Sequence, residues 1–557
     1  MPGRRLRPLI FSGALIITLL FALAAERLPA RLSKQSTSAA QEQVQQQDES
    51  QAQQQQKQEQ SAPQPEAGPV AQSSTSASAT ELGRRIEEAI GKSEFATARW
   101  GVYFMRLRDE SLIYARDAQR PFTPASNMKV YTTAVALDSL GADYRWRTSV
   151  YASAEPDARG TITGDLILYG RGAPDLSSEA KREVPDHLAR LAEELYKRGV
   201  RRIEGSLIGD ESYFRGEPLG DGWLWNDVQW YFGAEVRALT VNGNEATLTI
   251  TPGKPNEAAA ARVENDNGYF RLINDARTSA RGSSLTIGVT RGLSDNNLRV
   301  WGDFPATGRS YSVRVSVHNP ALWATTLFRE ELRARGISIG GETRTRDARS
   351  TAPEELFDPQ RAVELASVTS KSLAEIARAT NKHSINLNAE LILRTLGRER
   401  REMAPDPDPV RMRIRGDDEA GLAVIRLWLE RAGIRPVGLS LHDGSGLSRL
   451  NIVTPEATAR LMAAIHKTRA AKVFRDSLPV AGRDGTLAGR LAATGGRLQA
   501  KTGTLSYNSS LAGYLVAGDD EPYAFAIICN DETARGSSNI VIDAIARLLA
   551  DYRESGP

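Results

Sequence analysis

The stretch Ser126-Asn127-Met128-Lys129 begins a predicted amphipathic helix that extends to about residue 140. On a helix, a serine and a lysine three positions apart share one face, with Cβ atoms about 5 Å apart. A lysine amine can remove the proton of a serine hydroxyl when burial or neighbouring charge lowers its pKa. Unpaired backbone N–H groups at a helix N-terminus can stabilise an oxyanion. The pattern therefore makes Ser126 a candidate nucleophile and Lys129 its candidate base.

This spacing is not specific by itself. About two chance matches are expected in a chain of ordinary composition and this length, and Ser178-Glu179-Ala180-Lys181 is a second one, on a polar segment. A serine at the start of a helix commonly serves only as an N-cap. The assignment therefore needs further elements.

The second element is Lys501-Thr502-Gly503-Thr504, the only Lys-Thr-Gly in the chain, which follows a short predicted strand and precedes an apolar hairpin. A small residue beside a lysine on a strand lets a peptide substrate lie along the strand edge, where the cation and hydroxyls can bind a terminal carboxylate. An ordinary β-turn with a glycine is the alternative interpretation.

The third element is Ser384-Ile385-Asn386, between predicted helices at residues 373–380 and 387–396. Ser-x-Asn also occurs at Ser294, Ser506 and Ser537. The Ser294 copy falls in a predicted hairpin turn, so the position between two helices favours Ser384. Helix capping is its ordinary alternative role.

Taken in this order, 258 and 117 residues apart, the three motifs resemble those of the penicillin-recognising serine enzymes. The long first interval is similar to that of the penicillin-binding-protein-4 type of D-Ala-D-Ala carboxypeptidase, peptidase family S13. Four further stretches share this resemblance, which covers about residues 81–550: residues 164–175, 222–225, 443–449 and 479–486. Ile385 departs from the usual Asp or Asn at its position.

The resemblance implies an α/β fold with a transpeptidase/β-lactamase-like domain, in which an antiparallel sheet is flanked by helices and joined by a helical subdomain. Between residues 151 and 360, short β-like runs recur between Gly, Asp and Asn turns, and helical patterns return from about residue 361. We therefore expect a catalytic domain split between residues 81–150 and 361–557, with a mostly β inserted region at 151–360.

The implied activity is that of a serine-type D-Ala-D-Ala carboxypeptidase acting on peptidoglycan stem peptides, with DD-endopeptidase action left open. The implied mechanism is acyl transfer, in which β-lactams also acylate the enzyme. Ser126 would attack the penultimate D-alanine carbonyl, Lys129 would be the general base, and Ser384 would relay a proton to the leaving amine.

The resemblance also implies substrate-binding roles. Asn386 would hold Lys129 and the substrate amide, while Lys501, Thr502 and Thr504 would bind the terminal carboxylate beside Gly503. The backbone N–H groups of Ser126 and Thr504 would form the oxyanion hole. Asp443 and Ser445 belong either to the rim of the site or to a tight Asp-Gly-Ser-Gly turn.

The N-terminus predicts export. Arg4, Arg5 and Arg7 precede apolar residues 9–25, so residues 1–30 are expected to be a signal peptide or a membrane anchor. Residues 31–80 are rich in Gln, Ser and Ala and predict a disordered tether. The expected location is periplasmic or at the cell envelope, with tethering to the inner membrane as an open alternative.

Composition also indicates which partners, disulfides and cofactors to expect. With 71 basic and 68 acidic residues, the net charge of +3 gives no reason to expect a nucleic-acid partner. The single cysteine, Cys529, excludes an intrachain disulfide and is expected to be a buried structural thiol. The five histidines contain no His-Glu-x-x-His, so neither a metal nor another cofactor is expected.

Other classes of protein remain as alternatives. A Ser-His-Asp hydrolase would need a Gly-x-Ser-x-Gly elbow, of which Asp443-Gly444-Ser445-Gly446 is only a partial match. A serine β-lactamase shares the motifs but lacks a long insertion. A non-enzymatic cell-wall-binding protein with an idle fold is the second class. Trp223, Trp225 and Trp230 in the inserted region could contact glycan or a partner protein, although core packing is the commoner use of such residues.

Overall fold

The computed structural model of the chain describes residues 77–178, 186–264, 266–349, 351–352, 355–403, 416–435 and 437–554. The predicted leader lies outside these residues, as does nearly all of the predicted tether. A helix already begins at Ala77 and includes the last four residues of the predicted tether, 77–80, because Ala79 and Leu82 pack into the core. Within the described ranges, no helix is long and apolar enough to cross a membrane.

The first part of the chain supplies the elements around the first motif. They are helix α1 (Ala77–Gly91), strands β1 (Arg99–Arg106) and β2 (Leu112–Arg116), and helix α2 (Met128–Leu140). In the next 220 or so residues most of the regular elements are strands. They are β3 (Arg147–Ala152), β4 (Thr161–Ile162), β5 (Leu166–Tyr169), β6 (Arg202–Ile203), β7 (Leu207–Asp210), β8 (Glu245–Thr251), β9 (Ala260–Val263), β10 (Arg271–Ser279), β11 (Gly288–Arg291), β12 (Asn297–Pro305), β13 (Tyr311–Ser316), β14 (Ser338–Ile339), β15 (Thr343–Arg346) and β16 (Val363–Thr369). Two helices interrupt them, α3 (His187–Lys197) and α4 (Pro320–Ala334).

The last part returns to helices and ends in a hairpin. Its helices are α5 (Leu373–His383), α6 (Asn386–Glu399), α7 (Asp417–Arg431), α8 (Pro455–His466), α9 (Ala471–Ser477) and α10 (Asn539–Ala550). Its strands are β17 (Leu498–Leu505), β18 (Asn508–Val516) and β19 (Pro522–Asn530).

A five-stranded antiparallel sheet joins the two ends of the described chain, in the order β17-β18-β19-β1-β2. Strand β19 is buried almost throughout, and its side chains alternate between two apolar layers. Phe525, Ile527 and Cys529 face α1 and α10, whereas the alternate residues face α8. Because both faces are covered, the strand is a continuous apolar run, and Cys529 is buried as predicted.

The intervening residues build a second five-stranded sheet, in the order β15-β7-β5-β3-β16, and three smaller sheets of three strands each. Strand β16 pairs with β3 across more than 200 residues of chain. The β-like run at residues 284–289 predicts a strand there, but the observed strand is the shorter β11, Gly288–Arg291, which overlaps only the end of that run. Together, the two kinds of sheet and the flanking helices confirm the predicted α/β class with a mostly β insertion.

Candidate active site

Ser126 lies in a 3₁₀ turn, Ala125–Asn127, directly before α2, so the expected single helix is interrupted at its start. Ala125 has φ +49°, a left-handed conformation that costs a non-glycine residue about 1–2 kcal/mol. The turn presents Ser126 while Lys129, one turn later, remains fully buried. The Lys129 Nζ and Ser126 Oγ atoms are 3.0 Å apart, so the spacing of the motif brings the two groups into contact.

The environment of Lys129 favours a neutral amine. Burial lowers its pKa from the usual value near 10.5 to about 7, and the charges of Asp443 and Glu390 oppose that shift. Its Nζ is 2.6 Å from Asn386 Oδ1 and 2.6 Å from the Ser445 carbonyl oxygen. A neutral amine has two N–H donors and one lone pair. With both donors used by these acceptors, the lone pair points toward Ser126.

Asn386 is held in a defined orientation at the start of α6. Its Nδ2 donates to the Phe232 carbonyl at 2.9 Å, which leaves Oδ1 to accept from Lys129. Phe232 belongs to the long β-rich part of the chain, so this contact connects the insertion to the site. The role of Phe232 could not be predicted from the sequence, because a backbone carbonyl has no sequence signature.

Ser384 and Lys501 form the second polar pair of the site. Ser384 caps the C-terminus of α5 with φ +57°, and its Oγ accepts a hydrogen bond from Lys501 Nζ at 2.9 Å. Burial lowers the pKa of Lys501 well below its ordinary value, and the charge of nearby Lys129 lowers it further. The structure thus brings together amines and hydroxyls from three distant segments of the chain.

The Lys-Thr-Gly-Thr segment occupies the edge strand β17. A Cβ at Gly503 would lie 2.6 Å from the Pro124 carbonyl oxygen and 3.1 Å from the Asn127 nitrogen, so the strand packs directly on the turn that holds Ser126. Thr504 is exposed and lines the groove. Thr502 is buried, and its hydroxyl donates to Thr486 Oγ1 at 2.7 Å.

An open groove runs along this edge and encloses about 1860 Å³, part of it open to solvent. The residues of the three motifs that line it are Ser126, Ser384, Ile385, Asn386 and Thr504. Its far wall comes from the β-rich region, through Asp227, Tyr231 and Arg314. The groove is therefore long enough to extend past the motifs onto the insertion.

In the Asp443-Gly444-Ser445-Gly446 loop, Asp443 and Ser445 are buried and do not line the groove, whereas Gly446 does. Asp443 accepts hydrogen bonds from the backbone of Gly446 and Ser448, and from the side chains of Asn451 and Trp223. Gly446 has φ +82°, and a Cβ there would lie 1.9 Å from the Ala125 carbonyl oxygen. The loop thus packs directly against the turn that contains Ser126.

Among the competing sequence matches, Ser506 lines the same groove, between β17 and β18. Ser294 lies in the connection between β11 and β12, as expected, and Lys181 of the second Ser-x-x-Lys falls outside the described residues. Of the three tryptophans, Trp225 is 76% exposed, so core packing was the wrong expectation for it. Trp223 and Trp230 are half-buried. Among the described residues no group of His, Cys, Asp and Glu could hold a metal ion.

The geometry provides a serine beside an amine whose pKa burial lowers to about 7, a second hydroxyl–amine pair, and a strand edge beside an open groove. This combination is suited to acyl transfer from a peptide lying along the strand.

Comparison with known proteins points the same way. The chain matches the D-Ala-D-Ala carboxypeptidase 3 (S13) family over residues 82–552. It is 34% identical over 500 residues to a D-alanyl-D-alanine carboxypeptidase from an Actinomadura species, covering 87% of each chain. It is 26% identical over 368 residues to a D-alanyl-D-alanine carboxypeptidase from Haemophilus influenzae, covering 66% of this chain and 71% of the other.

A solved structure shares the fold. The crystal structure of penicillin binding protein 4 from Haemophilus influenzae has a TM-score of 0.70 and 23% identity, covering 85% of this chain and 99% of that chain. The same protein complexed with a β-lactam has a TM-score of 0.65 and 21% identity, with the same coverage.

Proposed function

The chain belongs to the D-Ala-D-Ala carboxypeptidase 3 (S13) family and is a serine-type D-Ala-D-Ala carboxypeptidase, and we propose that Ser126 is its nucleophile and Lys129 its general base. The observation that carries this proposal is the 3.0 Å approach of the buried Lys129 amine to the Ser126 hydroxyl. The expected substrate is a peptidoglycan stem peptide ending in D-Ala-D-Ala, and β-lactams are expected to acylate the same serine.

Acylation begins with the lone pair of Lys129. The neutral amine takes the proton of the Ser126 hydroxyl while Oγ attacks the penultimate D-alanine carbonyl. The tetrahedral oxyanion is stabilised by the backbone N–H groups of Ser126 and Thr504, two residues that line the groove on neighbouring segments. Asn386 and the Ser445 carbonyl keep the amine directed at the hydroxyl.

Collapse of this intermediate needs a proton on the leaving amine. Ser384 would relay to it the proton that Lys129 took from Ser126, because Ser384 lines the groove and its hydroxyl contacts Lys501. The C–N bond breaks, D-alanine leaves as the amine, Lys129 is neutral again, and the peptide remains as an ester on Ser126. When water attacks the ester, Lys129 would accept a proton from the water and return it to Ser126 Oγ as the ester bond breaks, which restores the free enzyme.

Binding of the terminal carboxylate is assigned to β17. Lys501 contributes positive charge at the strand when it is protonated, and Thr504 offers an exposed hydroxyl. Thr502 supports the strand through its hydrogen bond to Thr486, and Gly503 keeps the strand close to the nucleophile.

We further propose the domain arrangement and the location. Residues 81–150 and 361–557 would form the catalytic domain, with residues 151–360 as an insertion that supplies one wall of the groove. Export through residues 1–30 and a tether at residues 31–80 would place this domain in the periplasm or at the cell envelope. Cell fractionation with detection of the N-terminal segment distinguishes a cleaved signal from a membrane anchor.

The activity is tested by measuring D-alanine release from a pentapeptide ending in D-Ala-D-Ala, together with cleavage of cross-linked muropeptides. Ser126→Ala should abolish both, because it removes the hydroxyl proposed to form the acyl-enzyme. Ser178→Ala, in the other Ser-x-x-Lys, is the matched control and should behave as the wild type. Retained turnover in Ser126→Ala would exclude Ser126 as the nucleophile.

A further inference from the structure

A buried carboxylate, Glu390, lies behind Lys129 and has no part in the steps above. It is on α6, four residues after Asn386, and its side chain is about 1% exposed. A buried charge is costly unless it is well hydrogen-bonded, so its partners indicate what it does.

The partners of Glu390 are two consecutive backbone amides and one arginine. Its Oε1 accepts from Gly444 N at 2.9 Å and from Ser445 N at 2.8 Å. Its Oε2 is 3.2 Å from Arg394 Nη1, one turn later on α6. All of these groups are donors, so the arrangement suits an ionised carboxylate.

The same peptide segment is also held from the opposite side. Thr132 Oγ1, on α2, donates to the Gly444 carbonyl at 2.7 Å. A Cβ at Gly444 would lie 2.9 Å from the Ala389 carbonyl oxygen, so the loop packs closely on α6. The two helices thus fix the direction of the next carbonyl, that of Ser445, which accepts from Lys129 Nζ at 2.6 Å.

We propose that Glu390 is a positioning residue of the reaction, which acts through the Gly444–Ser445 peptide to keep the lone pair of Lys129 directed at Ser126. The inference rests on the proposed roles of Ser126 and Lys129. Without the carboxylate, the Ser445 carbonyl could rotate away and the amine would lose one of its two fixed acceptors. Misplacement of a reacting group by about 1 Å can cost on the order of 100-fold in rate.

The charge of Glu390 has a second consequence for Lys129. The charged groups around the amine are Glu390 on α6, Asp443 in the loop and Lys501 on β17; Arg394 and then Asp418 lie beyond Glu390. Both carboxylates raise the pKa of Lys129 against the effect of burial. Burial raises the pKa of Glu390 itself to about 7, and Arg394 and the Ser445 hydrogen bonds oppose that rise.

The test is the second-order rate of acylation by a fluorescent penicillin, measured from pH 5 to pH 9, in the full-length protein. Glu390→Gln keeps the shape of the side chain, but its amide oxygen cannot accept from both the loop and Arg394. We expect a fall in the acylation rate of roughly 10- to 100-fold. We also expect the acid limb to move to lower pH, because removal of a negative charge lowers the pKa of Lys129.

Two further variants separate position from charge. Thr132→Val removes the opposite contact without changing any charge, so it should slow acylation and leave the acid limb in place. Glu211→Gln is the control: Glu211 is also a buried glutamate with a pKa raised to about 7, but it pairs with Arg237 in the insertion. Its acylation rate and acid limb should match the wild type.

Wild-type acylation with an unmoved acid limb in Glu390→Gln would overturn the inference. If Glu390→Gln does not fold, the acylation rate of Thr132→Val tests the positioning role instead. A wild-type rate in Thr132→Val would overturn that role. Failure of the proposed function gives a different result, since wild type and Ser126→Ala would then be labelled equally.

Discussion

At the residue scale, the proposed reaction depends on one amine whose pKa burial lowers toward physiological pH. The pKa of Lys129 is lowered to about 7, so the protonated form dominates below pH 7 and the neutral base dominates above it. The penicillin acylation rate should therefore rise with pH through about 7 and then level off. A rate that is flat between pH 5 and pH 8 would contradict the assignment of Lys129 as base.

The second hydroxyl gives a separate prediction. Ser384→Ala leaves the Lys129–Ser126 pair in place but removes the group that contacts Lys501. Because acid–base assistance contributes about 10²- to 10⁴-fold, D-alanine release should fall at least 100-fold. Ser294→Ala, in the hairpin copy of the motif, should retain the wild-type rate. Equal rates in the two variants would refute the choice of Ser384.

The limit of sequence inference is also visible in single residues. Ser126, Lys129, Ser384 and Lys501 could be predicted because their residue types occur at defined spacings. Glu390 could not, since a glutamate within a helical pattern usually faces solvent. Its burial depends on a loop more than 50 residues away, and local sequence does not encode that contact.

At the scale of elements, the proposed nucleophile is held by the contact between a strand and a turn. Gly503 on β17 approaches the backbone of Pro124 and Asn127, and backbone atoms cannot move aside as a flexible side chain can. Gly503→Ala should therefore displace the turn, with a stability cost of about 1–3 kcal/mol and a loss of acylation greater than 10-fold.

The control for that prediction is Gly489→Ala, at a glycine where an added Cβ would have no atom within 4 Å. Thermal unfolding and penicillin acylation measure the two effects. Wild-type acylation in Gly503→Ala would show that the turn does not depend on β17.

Elements differed in how well they could be predicted. Helical patterns at residues 187–198 and 321–335 predict α3 and α4 to within one residue, and in the structure Asp186 and Asn319 accept hydrogen bonds from the first turn of each helix. The sequence of β10, RLINDARTS, predicts no strand because it lacks apolar alternation, and the observed strand is largely exposed. Pairing such as β3 with β16 depends on tertiary contacts that no local pattern reveals.

At the scale of the whole molecule, the central sheet joins segments from both ends of the described chain. Cys529 lies within β19 and is fully buried, and burial raises the pKa of its thiol to about 12. Its reaction with a thiol reagent at pH 8 should therefore require unfolding and follow the unfolding transition in denaturant. Rapid modification of the native protein would contradict the buried position of β19.

Because this sheet joins both ends of the described chain, three motifs spread over nearly 380 residues lie at one groove. Their order could be read from the sequence and matched to a family, but the orientation of Lys129 could not. It depends on Asn386, the Ser445 carbonyl and the Phe232 contact from the insertion, each supplied by a different segment.

The most direct test of this account is to map the covalent adduct formed with penicillin by mass spectrometry of the digested protein. The account predicts one adduct per chain, on Ser126, present in Ser178→Ala and absent in Ser126→Ala. An adduct on any other residue, or an equal yield of adduct in Ser126→Ala, would contradict it.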